Sequence, residues 1–349
     1  MSTFVIGNRR IGPNQPVYMV AEMSANHNQN FDHAVKIIEA AHEAGADAIK
    51  LQTYTADTLT IDSDKEYFKV GKGSLWSGRT LYDLYQEAYT PWDWQPKLQK
   101  VALDLGLDFF STPFDATAIV FLEKMNVPVH KVASFEVVDI PLIRRVARTG
   151  KPIIMSTGMA TLDEIEEAVK AIRVEGNNMI ALLKCTSAYP ARPEEMNLQT
   201  IPDLAKRFGV VAGLSDHTLG TTVPVAAVAL GAHIIEKHFT LSRKDPGPDS
   251  AFSLEPQEFK TMVEAVRITE KALGKVHYGY SEKEEQNRKF RRSLFVVKDI
   301  KAGELLTEEN VRSIRPADGL PPKHLDEVLG KRATQNLTKG TPLNWEMLL

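Results

Sequence analysis

The sequence predicts an α/β protein, a (β/α)8 TIM barrel followed by a small β-rich C-terminal domain. Short apolar runs rich in β-branched residues recur along the chain, and a segment with helical spacing of apolar residues follows each run. Eight such units fit in roughly 260 residues, the usual size of this barrel. An open doubly wound sheet normally stops at about five or six strands, so a closed barrel is favoured.

The predicted strands and helices alternate along this region. We expect strands at residues 17–23, 48–52, 108–111, 129–132, 152–156, 179–184, 210–214 and 234–238. We expect helices at residues 34–44, 94–105, 116–125, 140–149, 162–174, 198–208, 222–230 and 256–273. Several helices end directly before a glycine, which is typical of a left-handed C-cap.

The domain boundaries follow from changes in this pattern. Residues 1–280 form the predicted barrel domain, in which 3–12 are expected to be an N-terminal hairpin at the barrel floor. Residues 281–292 are charge-dense without an apolar face and predict a linker. Residues 293–349 alternate short apolar runs with turn residues, which predicts a compact β-rich domain. A domain so small is expected to pack over a barrel mouth, its own or a partner subunit's.

Composition excludes several classes of protein. The formal net charge of -3, with acids and bases interspersed, provides no basic stripe for nucleic acid. No apolar run reaches the roughly 18 residues of a membrane span, and residues 1–16 lack the apolar segment of a signal peptide. The single cysteine, Cys185, excludes an internal disulfide and fits a reducing compartment. We therefore expect a cytoplasmic protein without nucleic-acid or membrane partners.

Polar side chains are dense where the predicted strands end, the edge at which (β/α)8 barrels carry their chemistry. After the first three strands come Glu22, Ser24, Asn26, His27, Asn28, Lys50, Gln52, Ser111 and Thr112. After the other five come Lys131, Ser134, Glu136, Ser156, Thr157, Lys184, Thr186, Ser187, Tyr189, Ser215, Asp216, His217, Glu236, Lys237, His238 and Asp249. The sequence therefore predicts one polar site at this edge.

Two histidines in this set suggest a metal site. His217 and His238 end the seventh and eighth strands, which are neighbours in a closed barrel. Two imidazoles there can converge on one divalent ion while oxygen ligands complete its coordination. A single histidine would more simply be a hydrogen-bonded structural residue, but the pair favours the metal.

Two lysines suggest an anionic substrate. Lys50 and Lys131 are accompanied by a set of hydroxyls, namely Thr112, Ser134, Ser156 and Ser215. This zone suits a small molecule with phosphate and carboxylate groups, although a strand-end lysine is often only a solvated rim residue. The motifs GxGxxG and GxxxxGK[ST] are absent, which argues against a nucleotide. Glu22, Glu136 and Asp249 face this zone as bases or hydroxyl acceptors, and Glu136 could equally form a salt bridge to Lys131.

The segments at the strand ends resemble those of the sialic acid synthase family. The matching strings are AEMSANHN, IKLQT, FFSTPFD, KVASFE, STGMA, KCTSAYPA, GLSDHT and EKHFT, in this order and one per strand. Residues 292–320 resemble the antifreeze-like (SAF) domain of the family. The string AEMSANHNQ, the serine at Ser187 where the family often has asparagine, and the insert at 75–94 resemble its pseudaminic branch.

The resemblance implies an enzyme that condenses phosphoenolpyruvate with 2,4-diacetamido-2,4,6-trideoxy-L-altrose and releases phosphate by C–O cleavage. It implies a domain-swapped homodimer and a divalent ion, Mn2+ or Mg2+, held by His217 and His238. It implies phosphoenolpyruvate contacts from Lys50, Thr112, Lys131, Ser134, Ser156, Ser187, Tyr189 and Ser215. It implies sugar contacts from Glu22, Gln52, Asp249 and, from the partner subunit, Arg315. The implied catalytic residues are Glu22, Lys131, His238 and Glu136, the last acting on the attacking water.

Three alternatives stay open at this point. A related synthase could form N-acetylneuraminate or legionaminate from another N-acetylhexosamine. A Schiff-base aldolase could use Lys131 or Lys184 as its amine. A non-enzymatic carbohydrate-binding or ice-like module would explain only the C-terminal domain.

Overall fold

The computed structural model describes residues 3–71 and 75–349, and the chain divides into two compact units, 1–274 and 275–349. In the first unit eight parallel strands close into a barrel. An antiparallel hairpin of β1 (Phe4–Ile6) and β2 (Arg9–Ile11) precedes it. The barrel strands are β3 (Tyr18–Glu22), β4 (Ala48–Thr53), β5 (Asp108–Pro113), β6 (His130–Val132), β7 (Ile153–Ser156), β8 (Ile180–Cys185), β9 (Val211–Asp216) and β10 (Ile234–His238). The predicted barrel is confirmed, each strand within two residues of its expected ends.

Helices surround the barrel. The described part of the first unit contains α1 (Phe31–Glu43), α2 (Ala56–Leu59), α3 (Leu81–Ala88), α4 (Gln95–Asp104), α5 (Ala116–Lys124), α6 (Ile140–Ala147), α7 (Leu162–Val174), α8 (Thr200–Phe208), α9 (Thr222–Ala229) and α10 (Pro256–Leu273). All eight predicted helices are present. The two short helices α2 and α3 were not predicted, although Thr80 caps α3 by accepting a hydrogen bond from the Asp83 amide.

Helix α7 illustrates why these segments are helical. Thr161 and Glu164 form a capping box, in which each side chain accepts a hydrogen bond from the backbone amide of the other residue. Ile165, Val169 and Ile172 then recur at helical spacing, and all three are buried in the barrel core. The helix is therefore fixed at its start by the cap and along one face by burial of apolar side chains.

The N-terminal hairpin lies at the amino-terminal ends of the strands. Its residues Phe4, Ile6 and Ile11 are buried in the same core as the barrel strands. Asp108, the first residue of β5, accepts hydrogen bonds from Arg9 Nη1 at 3.0 Å and from the Tyr18 hydroxyl at 2.9 Å. The predicted hairpin at the barrel floor is therefore confirmed, and it leaves the carboxyl ends of the strands free for a site.

The second unit is small and has a core of its own. It contains α11 (Glu282–Asn287), β11 (Ser293–Val296), β12 (Val311–Ile314) and α12 (Leu325–Val328), with β11 and β12 antiparallel. Its buried residues include Leu294, Ile300, Leu306, Leu337 and Leu343. Residues 281–292, which we interpreted as a linker, contain helix α11; only the capping box at its start marks it, because none of its side chains is buried.

The described residues, 3–71 and 75–349, include no helix that is long and apolar enough to cross a membrane. The longest helix, α10, has one buried apolar face and carries charged side chains on the remainder of its surface.

A buried ion pair joins the last two barrel strands. Lys237 Nζ contacts Asp216 Oδ2 and also donates to the Thr218 carbonyl, and both charged side chains are 1% exposed. Asp216 also accepts from the amide and the hydroxyl of Thr218. Because Asp216 precedes His217 and Lys237 precedes His238, this pair fixes the strand ends that carry the two imidazoles.

We predict that Lys237→Met lowers the free energy of unfolding by about 3–5 kcal/mol, since it leaves a buried carboxylate without its counter-charge. Urea denaturation measures this change. The matched control is Arg207→Met, which breaks an exposed ion pair with Asp203 on α8 and should leave the unfolding midpoint unchanged. Equal effects of the two substitutions would contradict the structural role of the buried pair.

Candidate active site

One pocket opens at the carboxyl ends of the barrel strands. The residues that line it are Glu22, Lys50, Gln52, Thr112, Lys131, Ala133, Ser134, Phe135, Ser156, Cys185, Tyr189, Ser215, His217, Glu236 and His238. Every barrel strand, or the turn that follows it, contributes at least one of these side chains. The structure therefore brings together eleven of the fifteen residues to which the resemblance assigned a role.

Four predicted site residues lie outside this lining. Glu136 ends a short 3-10 helix after β6, directly beyond the lining residue Phe135. The hydroxyl of Ser187 is buried without a hydrogen-bond partner. Asp249 lies behind the pocket and connects to it through Ser24. Arg315 is an exposed residue of the second unit, so its predicted contact with the sugar stays a prediction.

A network of four buried charges forms the centre of the pocket. Lys50 Nζ lies 2.7 Å from Glu22 Oε2 and 3.6 Å from Glu236 Oε1. Lys131 Nζ lies 3.9 Å from the same Glu236 oxygen and donates to Ser156 Oγ at 2.6 Å. All four charged side chains are at most 8% exposed. Glu236 therefore stands between two ammonium groups and couples them.

Burial and mutual contact set the charge states of this network. Burial raises the pKa of Glu22 to about 7 although Lys50 opposes the change. Burial would lower the pKa of Lys50, but the carboxylates of Glu22 and Glu236 raise it instead. For Lys131 burial prevails and lowers the pKa. Burial would raise the pKa of Glu236, but Lys131 and Lys50 lower it. With Glu22 partly protonated near neutral pH, the network favours an anionic ligand.

The two histidines lie side by side at the edge of this network. The ring centroids of His217 and His238 are 5.4 Å apart. Nδ1 of His217 is 2.9 Å from the Thr186 carbonyl, which only accepts, so Nδ1 carries a proton. Burial would lower the pKa of His217, but Cys185 and the Thr186 carbonyl raise it. Burial lowers the pKa of His238 well below its usual range, and its Nδ1 is buried without a hydrogen-bond partner.

The placement of the two imidazoles, with ring centroids 5.4 Å apart, fits the predicted divalent ion. Neutral imidazoles with an available lone pair are the form that binds metals. Residues 3–71 and 75–349 contain no cluster of three His, Cys, Asp or Glu side chains suited to an ion. Any ion held by His217 and His238 would therefore take its other ligands from substrate or water.

A chain of hydrogen bonds extends the network on its other side. Gln52 Nε2 donates to Glu22 Oε1 at 3.1 Å and to Ser24 Oγ at 3.0 Å. Ser24 Oγ in turn donates to Asp249 Oδ2 at 2.5 Å. Burial raises the pKa of Asp249, while the hydrogen bond from Ser24 opposes this change. The predicted sugar ligands Glu22, Gln52 and Asp249 thus form one connected group of polar side chains.

No role was predicted for two polar residues of the pocket, namely Glu236, which was placed at a strand end, and Cys185, which was not included in the predicted site. Glu236 lies two residues before His238 on β10, and period-two alternation along a strand would have placed both side chains inside the barrel. Cys185 alternates with Lys184 on β8, and the thiol rather than the ammonium group lines the pocket. Burial would raise the pKa of Cys185, but His217, whose Nδ1 lies 3.9 Å from Sγ, lowers it to about 7.

A charged, hydroxyl-rich pocket at the carboxyl ends of eight parallel barrel strands is the arrangement of an active site in a (β/α)8-barrel enzyme. The NeuB family model matches residues 37–278 and the SAF domain model matches residues 291–349. The chain therefore belongs to the NeuB family, and both the resemblance to the sialic acid synthase family and the predicted SAF domain are confirmed.

Individual relatives are similar over nearly the whole chain. The pseudaminic acid synthase of Helicobacter pylori is 47% identical over 331 residues, covering 95% of this chain and 97% of its own. The N,N'-diacetyllegionaminic acid synthase of Legionella pneumophila is 36% identical, covering 96% and 95%. The crystal structure of the spore coat polysaccharide biosynthesis protein spsE from Bacillus subtilis is 35% identical, with a TM-score of 0.68 over 100% and 99% of the two chains.

Glu136 carries a buried carboxylate oxygen without a hydrogen-bond partner, and it forms no ion pair with Lys131 among the described residues. Burial raises its pKa from 4.5 to about 7, although Lys131 opposes the change. Between these two pH values the folded protein holds a proton that the unfolded chain has released. The stability of the wild type therefore falls as pH rises through this range.

We predict that Glu136→Gln stabilises the protein at about pH 8 by up to about 3 kcal/mol relative to its effect at about pH 4.5, because the amide carries no charge to bury. Urea denaturation across this pH range measures the difference. The control is Glu164→Gln on α7, where the capping hydrogen bonds lower the pKa and no gain at high pH is expected. A pH-independent effect of Glu136→Gln would show that this carboxyl titrates normally.

Proposed function

We propose that this chain is a pseudaminic acid synthase that condenses phosphoenolpyruvate with 2,4-diacetamido-2,4,6-trideoxy-L-altrose to give pseudaminic acid and phosphate. The observation that carries the proposal is the buried pair of lysines, Lys50 and Lys131, joined by Glu236 beside two imidazoles. The near full-length similarity to pseudaminic acid synthase supports the choice of product over the legionaminate and N-acetylneuraminate alternatives.

Phosphoenolpyruvate is the ligand proposed for the charged half of the pocket. Its phosphate and carboxylate are both anionic, and the ammonium groups of Lys50 and Lys131 are the buried cations that can balance them. Hydroxyls at the same edge, from Thr112, Ser134, Ser156 and Ser215, provide directional donors. The ligand's negative charge would further favour the protonated form of Glu22.

The proposed reaction forms a C–C bond and a C–O bond to water, and it breaks the C–O bond to phosphate. C3 of phosphoenolpyruvate attacks the aldehyde carbon, and the carbonyl electron pair moves to the aldehyde oxygen, which takes up a proton. The resulting cationic centre at C2 is captured by water, which loses a proton. The C2–O bond to phosphate then breaks, the C2 hydroxyl gives up its proton to the departing phosphate, and C2 becomes a ketone.

The acids of the site have matching roles in this proposal. Glu22 is the proposed proton donor to the aldehyde oxygen, since a pKa of about 7 keeps it partly protonated at neutral pH. Glu136 is the proposed acceptor of the proton from water, because its pKa of about 7 suits a base at the same pH. A divalent ion, Mn2+ or Mg2+, held by His217 and His238 would polarise the aldehyde carbonyl.

The C-terminal SAF domain belongs to the same proposal. We propose that two chains form a homodimer in which Arg315 of each SAF domain reaches the pocket of the partner chain and contacts the sugar. A guanidinium group there would bind sugar hydroxyl or amide oxygens through several donors. The pocket of one chain would then be complete only in the dimer.

Lysine substitutions test the condensation against the Schiff-base alternative. We predict that the wild type releases phosphate only when phosphoenolpyruvate and the sugar are both present. Lys131→Met should reduce this rate at least about a hundredfold, since it removes a buried counter-charge of the substrate. Lys184→Met is the matched control and should keep most of the turnover, because Lys184 does not line the pocket and its Nζ donates to the Cys185 carbonyl. A covalent adduct trapped by borohydride would support the aldolase instead.

Mixing two inactive variants tests the proposed dimer. Arg315→Ala and Lys131→Ala should each be inactive alone. If Arg315 acts in the partner's pocket, mixed dimers contain one intact site, and an equal mixture refolded or co-expressed should regain about a quarter of the wild-type activity. Activity no higher than that of the separate variants would show that Arg315 does not act across subunits.

A further inference from the structure

Trp76 lies in the long connection between β4 and β5 and bridges to a distant loop. Its indole Nε1 donates to the Pro248 carbonyl at 2.9 Å, across a separation of 172 residues. Pro248 directly precedes Asp249, which the hydrogen bond from Ser24 links to the pocket. The Trp76 ring centroid is 5.9 Å from that of Tyr189, a pocket residue. Trp76 is outside the pocket lining, but it lies directly beyond the lining residue Tyr189 and against the loop that carries Asp249.

Trp76 and Tyr189 continue a row of rings along one side of the pocket. The centroid of Tyr189 lies 4.3 Å from that of His217 and 5.0 Å from that of Phe252. Phe252 is 5.0 Å from His238. The pocket thus has two unlike halves, a charged half around Lys50 and Lys131 and an aromatic half lined by Tyr189, His217 and His238. Phe252 and Trp76 support the aromatic half from behind and beyond it.

The two halves suit different substrates. Phosphoenolpyruvate, a small trianion, is the ligand proposed beside the lysines. The aromatic half is therefore available to bind the second substrate, the sugar aldehyde. Aromatic faces stabilise C–H groups, such as methyl groups and apolar edges of sugars, whereas a hydroxyl pressed against them loses its hydrogen bonds to water. With the aldehyde carbon at the imidazoles, the ring-to-ring steps of 4.3 and 5.9 Å can flank a six-carbon chain up to its far end.

We propose that Trp76 is a specificity-determining residue, whose indole forms the apolar wall against the far end of the sugar and selects a 6-deoxy aldehyde over one with a 6-hydroxyl. The inference rests on the proposed function and deepens it. The indole N–H bond to Pro248 holds the ring in place beside the loop that carries Asp249, whose carboxylate reaches the pocket through Ser24.

Steady-state kinetics of Trp76→Ala and Trp76→Phe test whether the indole selects the sugar. With the 6-deoxy diacetamido aldehyde, Trp76→Ala should lower kcat/KM at least about tenfold, whereas with an N-acetylhexosamine that carries a 6-hydroxyl it should change little. The KM for phosphoenolpyruvate should stay the same. Trp76→Phe keeps an aromatic face and should recover part of the preference. The matched control is Trp92→Phe, since Trp92 donates to the Tyr54 carbonyl and packs on Phe121 rather than on the pocket residue Tyr189.

A binding measurement separates this inference from the proposed reaction. Calorimetric titration with the reduced, unreactive alditols of the same two sugars requires no turnover. The wild type should bind the 6-deoxy alditol at least about tenfold more tightly than the hydroxylated one, and Trp76→Ala should bind both alike. This pattern without phosphate release would support Trp76 and refute the proposed reaction. An unchanged ratio between the two sugars in Trp76→Ala, by either measurement, would overturn the inference.

Discussion

The site depends on four ionisable side chains that are buried together at one edge of a closed barrel. Each of Glu22, Lys50, Lys131 and Glu236 would be expensive to remove from water alone, and the close contacts among them offset this cost. Glu236 belongs to the last barrel strand, whereas Lys50 and Lys131 belong to the second and the fourth. Only closure of the sheet, where β10 pairs with β3, brings these charges within 4 Å. The charged network of the pocket therefore forms only when the barrel closes.

The same burial gives the pocket its reactivity. Charges fixed by the backbone of parallel strands need little rearrangement when an anion binds or when charge develops in a reaction. Burial also raises the pKa of Glu22 and of Glu136 to about 7, so these carboxyls can exchange protons near neutral pH. At high pH both carboxylates destabilise the fold for the same reason. Stability is thus lost at the positions where proton transfer is proposed.

Much of the fold could be predicted from the sequence because local patterns of apolar residues determine where its strands and helices form. The eight strands are short apolar runs and the eight helices have helical periodicity, so their order alone indicated the barrel. Helices α2 and α11 are short and bury few side chains, which leaves almost no periodic signal. The strand-end rule found the lysines and histidines, but it does not distinguish side chains that point into the barrel from those that point away. For this reason the sequence left Lys184 open as the amine of an aldolase and gave no role to Glu236.

Contacts between segments that are distant along the chain could not be predicted from the sequence. Trp76 contacts Pro248 only because two long loops lie together at the rim of the barrel. No local sequence pattern predicts this contact. The link from Asp249 through Ser24 to Gln52 likewise joins three separate loops and strands. The resemblance to a family implied which groups react, whereas the division of the pocket into a charged half and an aromatic half emerged only from the folded chain.

The most direct test of the central claim is a crystal structure of the protein soaked with phosphoenolpyruvate. The account predicts density for the ligand in the barrel pocket, with its phosphate and carboxylate oxygens about 3 Å from the ammonium groups of Lys50 and Lys131. Density for the ligand at another surface, with the lysines still paired only to Glu22 and Glu236, would contradict it.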